Sequence, residues 1–316
     1  MNLYIVMYHY TRDLLHSRYP EIRGMDVLTF KEQISFLKEN FNVVEMEQVL
    51  DALDGKCELK KNACLLTFDD GYIDNFTYAF PILEENGLQG SFFIPGKTIV
   101  EHKLLDVNKI HYILAGTGNI SELLNDVYER MDYYRDGYDY PPNDELFKEY
   151  AKSNRFDTAE IIFIKRMLQM ALPEKVRNRI ASDLFEKYVG ISEEKLAYEL
   201  YMTEEQIKTL KRHGMYIGIH GYDHYWLGKL EKVMMENDVM KALEVMEPYI
   251  DKNRWVMNYP YGNYNEDVIN LISRNNCSMA ITTKVSVADV DKDNRFELPR
   301  LDCNDFPPKS NTYMNF

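Results

Sequence analysis

Ala63-Cys64-Leu65-Leu66-Thr67-Phe68-Asp69-Asp70-Gly71 is an apolar run closed by two adjacent carboxylates and a glycine. A run with almost no polar group suits a strand buried on both faces, the setting of a parallel sheet covered by helices. The same grammar recurs outward from it. Upstream, Leu3 to Tyr8 is another apolar run. Thr29 with Glu32 makes a capping box, and Phe30, Ile34 and Leu37 share one helical face behind it. Asn42 to Met46 reads as a further strand. Downstream, a helix is predicted from about Asn75 to Asn86, stopped by Gly87, followed by a strand over Ser91 to Ile94.

The pattern breaks between His102 and Tyr201. That stretch is helical in periodicity, charged and tyrosine-rich, with a loop around Pro141 and Pro142. The alternation resumes at Thr203, which forms a second capping box with Gln206. Strands are predicted over Tyr216 to Ile219, Trp255 to Tyr259 and Ser278 to Thr282, with helices over about Glu231 to Tyr249 and Glu266 to Asn275. Repeated strand–helix units imply a mainly parallel sheet, open or closed into a barrel. The expected division is therefore an α/β domain over residues 1–101 and 202–316, with residues 102–201 as an inserted helical subdomain.

Bulk composition narrows the function. Of 316 residues, 45% are hydrophobic, enough for a large core, and the net charge of -14 repels phosphate backbones, so nucleic acid is not an expected partner. No apolar stretch approaches the ~18 residues of a membrane span. The run Leu3 to Tyr8 is too short for a secretion signal and the first basic residue is Arg12. Cys57, Cys64, Cys277 and Cys303 are scattered, as expected of free thiols in a reducing compartment. A cytoplasmic location is the resulting expectation. The 24 tyrosines could stack on sugars, although filling core edges is their commoner use.

Parallel α/β folds build their sites at the carboxyl ends of strands, and polar clusters sit at such ends here. Asp69 and Asp70 point in different directions, so one can bind a metal while the other faces a water as base. Taken alone, the pair also reads as an Asp-Gly turn with a helix cap. His220-Gly221-Tyr222-Asp223-His224 follows an apolar strand, and histidines four apart can converge on one ion if the segment coils. Two histidines and a carboxylate form a known catalytic set for a divalent ion, and zinc suits these ligands. Asn258-Tyr259-Pro260-Tyr261-Gly262 ends a third strand, either aiming backbone N–H groups at a ligand or making an ordinary turn.

Together these stretches resemble the polysaccharide deacetylase family, carbohydrate esterase family four. Residues 67–71 match its Thr-Phe-Asp-Asp-Gly motif. His220, His224 and Leu227 match its two-histidine motif, and residues 260–262 match its Pro-Tyr-Gly motif. The resemblance implies a distorted (β/α) barrel and a mononuclear metal-dependent amidohydrolase. It implies Asp69 as general base, Asp70, His220 and His224 as ligands of one divalent ion, most simply zinc, and Tyr261 as an oxyanion donor. Asn258 stands beside Tyr261 on the substrate side, where the family commonly carries an arginine that braces the base. Arg254 lies too far upstream to replace it, so Arg300 is the expected brace. The family's late histidine acid is also missing, since the last histidine is His224. His9, at the end of Val6-Met7-Tyr8-His9, is the expected general acid. A subset of the family acting on exopolysaccharides looks circularly permuted in this way, with a Tyr-His strand at the N-terminus. Gly221 replaces the usual Ser or Thr of the two-histidine motif, which is expected to loosen that loop without removing a ligand.

Other signals are discounted. Pro95-Gly96-Lys97-Thr98 hints at a phosphate loop but lacks its first glycine, since position 91 is Ser91. His213 suits a helix end, His16, His102 and His111 suit surface or loop roles, and Met234, Met235 and Met240 read as core filler. The function expected is N-deacetylation of a small or activated sugar. An N-deformylase, a non-sugar amidohydrolase on the same site, and a non-catalytic carbohydrate-binding protein are the alternatives.

Overall fold

The computed structural model describes all 316 residues, which pack as two compact units. One comprises Met1–Leu14, Gly24–His102 and Glu199–Phe316, and the other Leu15–Arg23 and Lys103–Tyr198. The second unit thus includes a short early segment that hydrophobic periodicity does not mark.

Seven of the nine strands in the first unit's sheet frame the site: β1 (Asn2–Tyr8), β2 (Ala63–Phe68), β3 (Ser91–Ile94), β4 (Tyr216–Ile219), β5 (Trp255–Asn258), β6 (Cys277–Ile281) and β7 (Leu301–Asp302). Strands β1 to β6 lie side by side in chain order, each parallel to the next. β7 returns parallel to β1, pairing Leu301 with Val6 and Asp302 with Met7. A bridge between Ile281 and Leu298 joins β6 to the segment entering β7. The sheet therefore curls back on itself as a distorted α/β barrel. The exception to the parallel rule is Ala288–Asp289, which runs antiparallel on β1.

Strand parity separates two apolar layers. Leu3, Ile5, Leu65, Phe93, Val256 and Met279 share one buried cluster. Their neighbours Val6, Leu66, Phe68, Phe92, Ile219 and Met257 pack instead with the helix residues Phe30, Ile34, Leu37, Ile207 and Leu210. This two-sided burial is why the strands read as unbroken apolar runs. All the parallel strands end on one rim, so the residues after Tyr8, Phe68, Ile219 and Asn258 gather there.

Local starts and stops differ from expectation in two places. The first helix, Val27–Asn40, begins ahead of Thr29, because the Asp26 side chain caps it by accepting from the Leu28 N–H at 2.9 Å. The strand expected over Asn42 to Met46 ends at Val43, and Glu45 with Gln48 forms a capping box for an unforeseen helix, Met46–Leu53. The Thr203–Gln206 box is present and starts the helix Glu204–Arg212. Of the three methionines read as core, only Met235 is buried, while Met234 and Met240 are 44% exposed. All four cysteines are free thiols.

The second unit is helical, with Asp106–Gly116, Ile120–Tyr133, Asn143–Tyr150, Ala159–Arg166 and Glu174–Val189 around a core that includes Ile110, Val127, Phe163 and Leu184. No helix is long and apolar enough to cross a membrane.

Candidate active site

At the end of β2 the chain turns sharply. Asp70 and Gly71 both adopt left-handed backbone, with φ of 71° and 68°. A Cβ on Gly71 would lie 2.8 Å from the Ile94 side chain, so only glycine fits beside β3. Left-handed backbone costs a non-glycine residue of order 1–3 kcal/mol, and such strain gathers at functional sites. His224 (φ 55°) and Tyr261 (φ 57°) share this conformation on the same rim.

The Asp70, His220 and His224 side chains converge in a buried pocket. Asp70 Oδ1 lies 3.3 Å from the Nε2 of each histidine, and the two Nε2 atoms are 3.1 Å apart. A tetrahedral ion with ligand bonds of about 2.0–2.1 Å sets ligand-to-ligand edges of about 3.3–3.4 Å. The observed triangle is close to that size. Two further observations support a cation at its centre. Asp70 Oδ1 is buried with no hydrogen-bond donor, a costly state for a carboxylate oxygen. His220 Nδ1 lies 2.7 Å from the Asn258 carbonyl oxygen, which can only accept, so the proton is on Nδ1 and the Nε2 lone pair faces the pocket. Burial pulls His224 below the usual imidazole range, favouring the neutral, ligating form. Burial opposes charge on Asp70, yet the adjoining His220 and His224 imidazoles hold the carboxyl well below the ordinary range. The donor set therefore fits a divalent ion.

Asp69 sits in a clamp of its own. Arg300 Nη1 donates to its Oδ1 and Nη2 to its Oδ2, each at 2.9 Å. The same guanidinium donates to Thr67 Oγ1 (3.1 Å), to the Thr282 carbonyl (2.8 Å) and to Asn258 Oδ1 (3.1 Å). Burial alone would raise the Asp69 carboxyl, but the charge of Arg300, aided by His9, holds it below the usual range. Arg254 instead pairs with Asp51 and Asp54. His9 is 38% exposed, with Nε2 3.8 Å from Asp69 Oδ2.

Asn258 is fully buried; its side-chain oxygen accepts from Arg300 Nη2, its carbonyl oxygen lies 2.7 Å from His220 Nδ1, and its side-chain Nδ2 has no partner in the protein. Tyr261 does line the rim. Its ring stands edge-on to His224 (centroids 4.6 Å apart) and stacks on Trp226 (5.0 Å). Gly262 follows at φ 64°, where a Cβ would collide with Thr283.

The two-histidine loop is tightly held, contrary to the loosening expected from Gly221. Gly221 sits at φ 70°, a conformation that Ser or Thr would strain. Asp238 accepts from the N–H groups of Tyr222 and Asp223, both at 2.9 Å. The Gly96 and Lys97 N–H groups donate to the Gly221 and Tyr222 carbonyls, and Lys97 Nζ pairs with Asp223 at 2.6 Å. The stretch that resembled a phosphate loop is thus a brace. Sequence reasoning also missed Tyr72, whose hydroxyl donates to Asp70 Oδ2 at 2.6 Å. Its one signal was its place directly after the Asp69-Asp70-Gly71 turn.

A curled parallel sheet with an Asp-His-His triangle and an arginine-clamped aspartate on its carboxyl rim defines an α/β barrel with a candidate metal site. The family model for polysaccharide deacetylase matches residues 56–141 and 182–280, and the chain belongs to that family. It is 25% identical over 97 residues to YxkH of Bacillus subtilis (strain 168), a stretch covering 31% of this chain and 35% of that protein. It is 42% identical over 65 residues to the poly-beta-1,6-N-acetyl-D-glucosamine N-deacetylase of Escherichia coli (strain K12), covering 20% of this chain and 10% of that one. The match therefore spans about a third or less of these curated relatives. The fold matches the Streptococcus pyogenes deacetylase PplD, solved in complex with acetate, with a TM-score of 0.59 and 16% identity over 100% of this chain and 97% of that one.

Proposed function

We propose that the chain hydrolyses an N-acyl group, foremost N-acetyl, from a sugar, with one divalent ion held by Asp70, His220 and His224. The observation that carries this reading is the pairing of two differently equipped carboxylates. Asp70 offers an unpartnered oxygen to the histidine triangle, while the adjacent Asp69 is held ionised by Arg300. The family and the relatives named for N-acetylglucosamine or acetate support the acyl and sugar assignment.

A divalent ion in this triangle, with zinc the simplest choice, would acidify water and polarise an acyl oxygen. The remaining work falls to side chains. Asp69 accepts the proton of the attacking water, with Arg300 fixing both its orientation and its charge. The Tyr261 N–H donates to the acyl oxygen as negative charge develops there. His9, partly exposed beside Asp69, protonates the departing amine as the C–N bond breaks. The products are a carboxylate and a free amino sugar. The substrate proposed is a small or activated sugar handled in the cytoplasm.

The test is acetate release from N-acetylglucosamine, a nucleotide-linked N-acetyl sugar and a β-1,6-linked oligomer, using metal-stripped and zinc-reloaded protein. Formate release from N-formyl analogues runs alongside. Zinc-dependent acetate release that Asp69→Asn abolishes is the expected result. Zinc binding without hydrolysis of any member would overturn the catalytic reading in favour of carbohydrate binding.

A further inference from the structure

Every oxygen of a ligating carboxylate needs a partner, and Asp70 has two oxygens with different fates. Oδ1 faces His220 and His224 and has no donor, whereas Oδ2 accepts from the Tyr72 hydroxyl at 2.6 Å. We infer that Tyr72 is a positioning residue for the ion site, confining Asp70 to single-oxygen ligation by occupying Oδ2. The inference rests on the reading of Asp70, His220 and His224 as ion ligands.

Three features suit Tyr72 to this task. Its hydroxyl is wholly buried, so no bulk water competes for Oδ2. Its ring is fixed in place, stacked on Tyr10 at 4.0 Å and 12° and parallel to Tyr201 at 6.4 Å. Its backbone is tied as well, by a bridge between Tyr72 and Tyr201 and by the Met202 N–H donating to the Gly71 carbonyl at 3.0 Å. The strained backbone at Asp70 and Gly71 delivers the carboxylate between this ring and the histidines. A short bond to an anionic acceptor is stronger than a neutral one and fixes direction as well as distance. Partners behind a metal ligand of this kind typically change metal affinity by about 10–100-fold when removed.

Tyr72→Phe keeps the stacked ring and deletes the hydroxyl, with its links to Asp70 and to Tyr10. Zinc affinity measured by competition with a chromophoric chelator should fall about 10–100-fold, with apo-protein circular dichroism unchanged. The visible spectrum of the cobalt-substituted variant should shift toward higher coordination as Oδ2 becomes available. On the native protein, adding zinc should produce a near-ultraviolet tyrosine difference spectrum that Tyr72→Phe lacks. That spectrum, read on native protein, keeps the test decisive if the variant folds poorly. Native-like zinc affinity and an unchanged cobalt spectrum in the variant, or no tyrosine signal on native protein that does bind zinc, overturn the positioning role alone. A native protein that binds no zinc overturns the ion site itself and this inference with it.

Discussion

Replacing Arg300 with methionine keeps an apolar stem and deletes the guanidinium. That group donates five hydrogen bonds of 2.8–3.1 Å, two of them to Asp69, from a side chain 1% exposed. Its loss strands a buried carboxylate. Breaking a buried pair from one side costs about 3–5 kcal/mol. In a domain of this size class each kcal/mol moves the melting midpoint by about 2–4 °C, so a fall of about 6–20 °C is expected. The effect on turnover has a ceiling. A positioned general base contributes about 10²–10⁴-fold, and Arg300 acts only through Asp69, so its loss cannot exceed that of the base. Arg300→Met should therefore lower kcat within that range and move KM little. The double variant with Asp69→Asn should be no slower than Asp69→Asn alone, since groups acting as a unit are not additive. Acetate release at saturating substrate and matched zinc content measures this. An Arg300→Met enzyme with native kcat, or a double variant slowed by the product of the single losses, refutes the clamp as the base's support.

His9→Gln should lower kcat on an amide by about 10²–10⁴-fold yet barely affect an aryl acetate, whose leaving group needs no proton. Equal losses on both substrates would remove His9 as the acid. Gly221→Ala places a Cβ 3.1 Å from Asp238 Oδ1 at φ 70° and should cost about 1–2 kcal/mol in a denaturant titration, while native stability would show that the loop relaxes freely. Burial pushes the Asp238 carboxyl up to about 6 despite its two backbone donors. A carboxyl raised in the folded state favours folding while protonated, and that contribution is lost as pH rises from about 4 through about 6, by roughly 3 kcal/mol at most. The stability difference between native protein and Asp238→Asn should slope over that interval, and a flat difference would contradict the burial argument.

The barrel was legible because two-sided burial writes β2, β3 and β4 as unbroken apolar runs, whose bounds match expectation. β7 was not, because a two-residue strand has no periodicity to read. Met46–Leu53 was misread because the apolar residues from Val43 to Met46 continue a strand pattern across a helix cap. At the site, residue types pointed to the Asp69-Asp70 pair and the two histidines, and the family resemblance singled out Asp70 as the ligand. The roles of Asn258, Lys97 and Tyr72 depend on who lies across the barrel from them, which local sequence does not encode. The left-handed backbone of Asp70, His224 and Tyr261 was equally hidden, since none is the glycine that usually marks it.

The pairing of Val6 with Leu301 places the barrel's seam between its first and last strands. His9 leaves one flank of that seam and Arg300 enters the other, both outside the stretch from 56 to 280 that the family model spans. On a ribosome, the three proposed ion ligands are all made by residue 224, but Arg300, which clamps Asp69, arrives some 76 residues later. Under the proposed mechanism, a nascent chain with its histidines already in place still lacks the group that fixes its base. Closing the ring would then complete the architecture and the proposed site together.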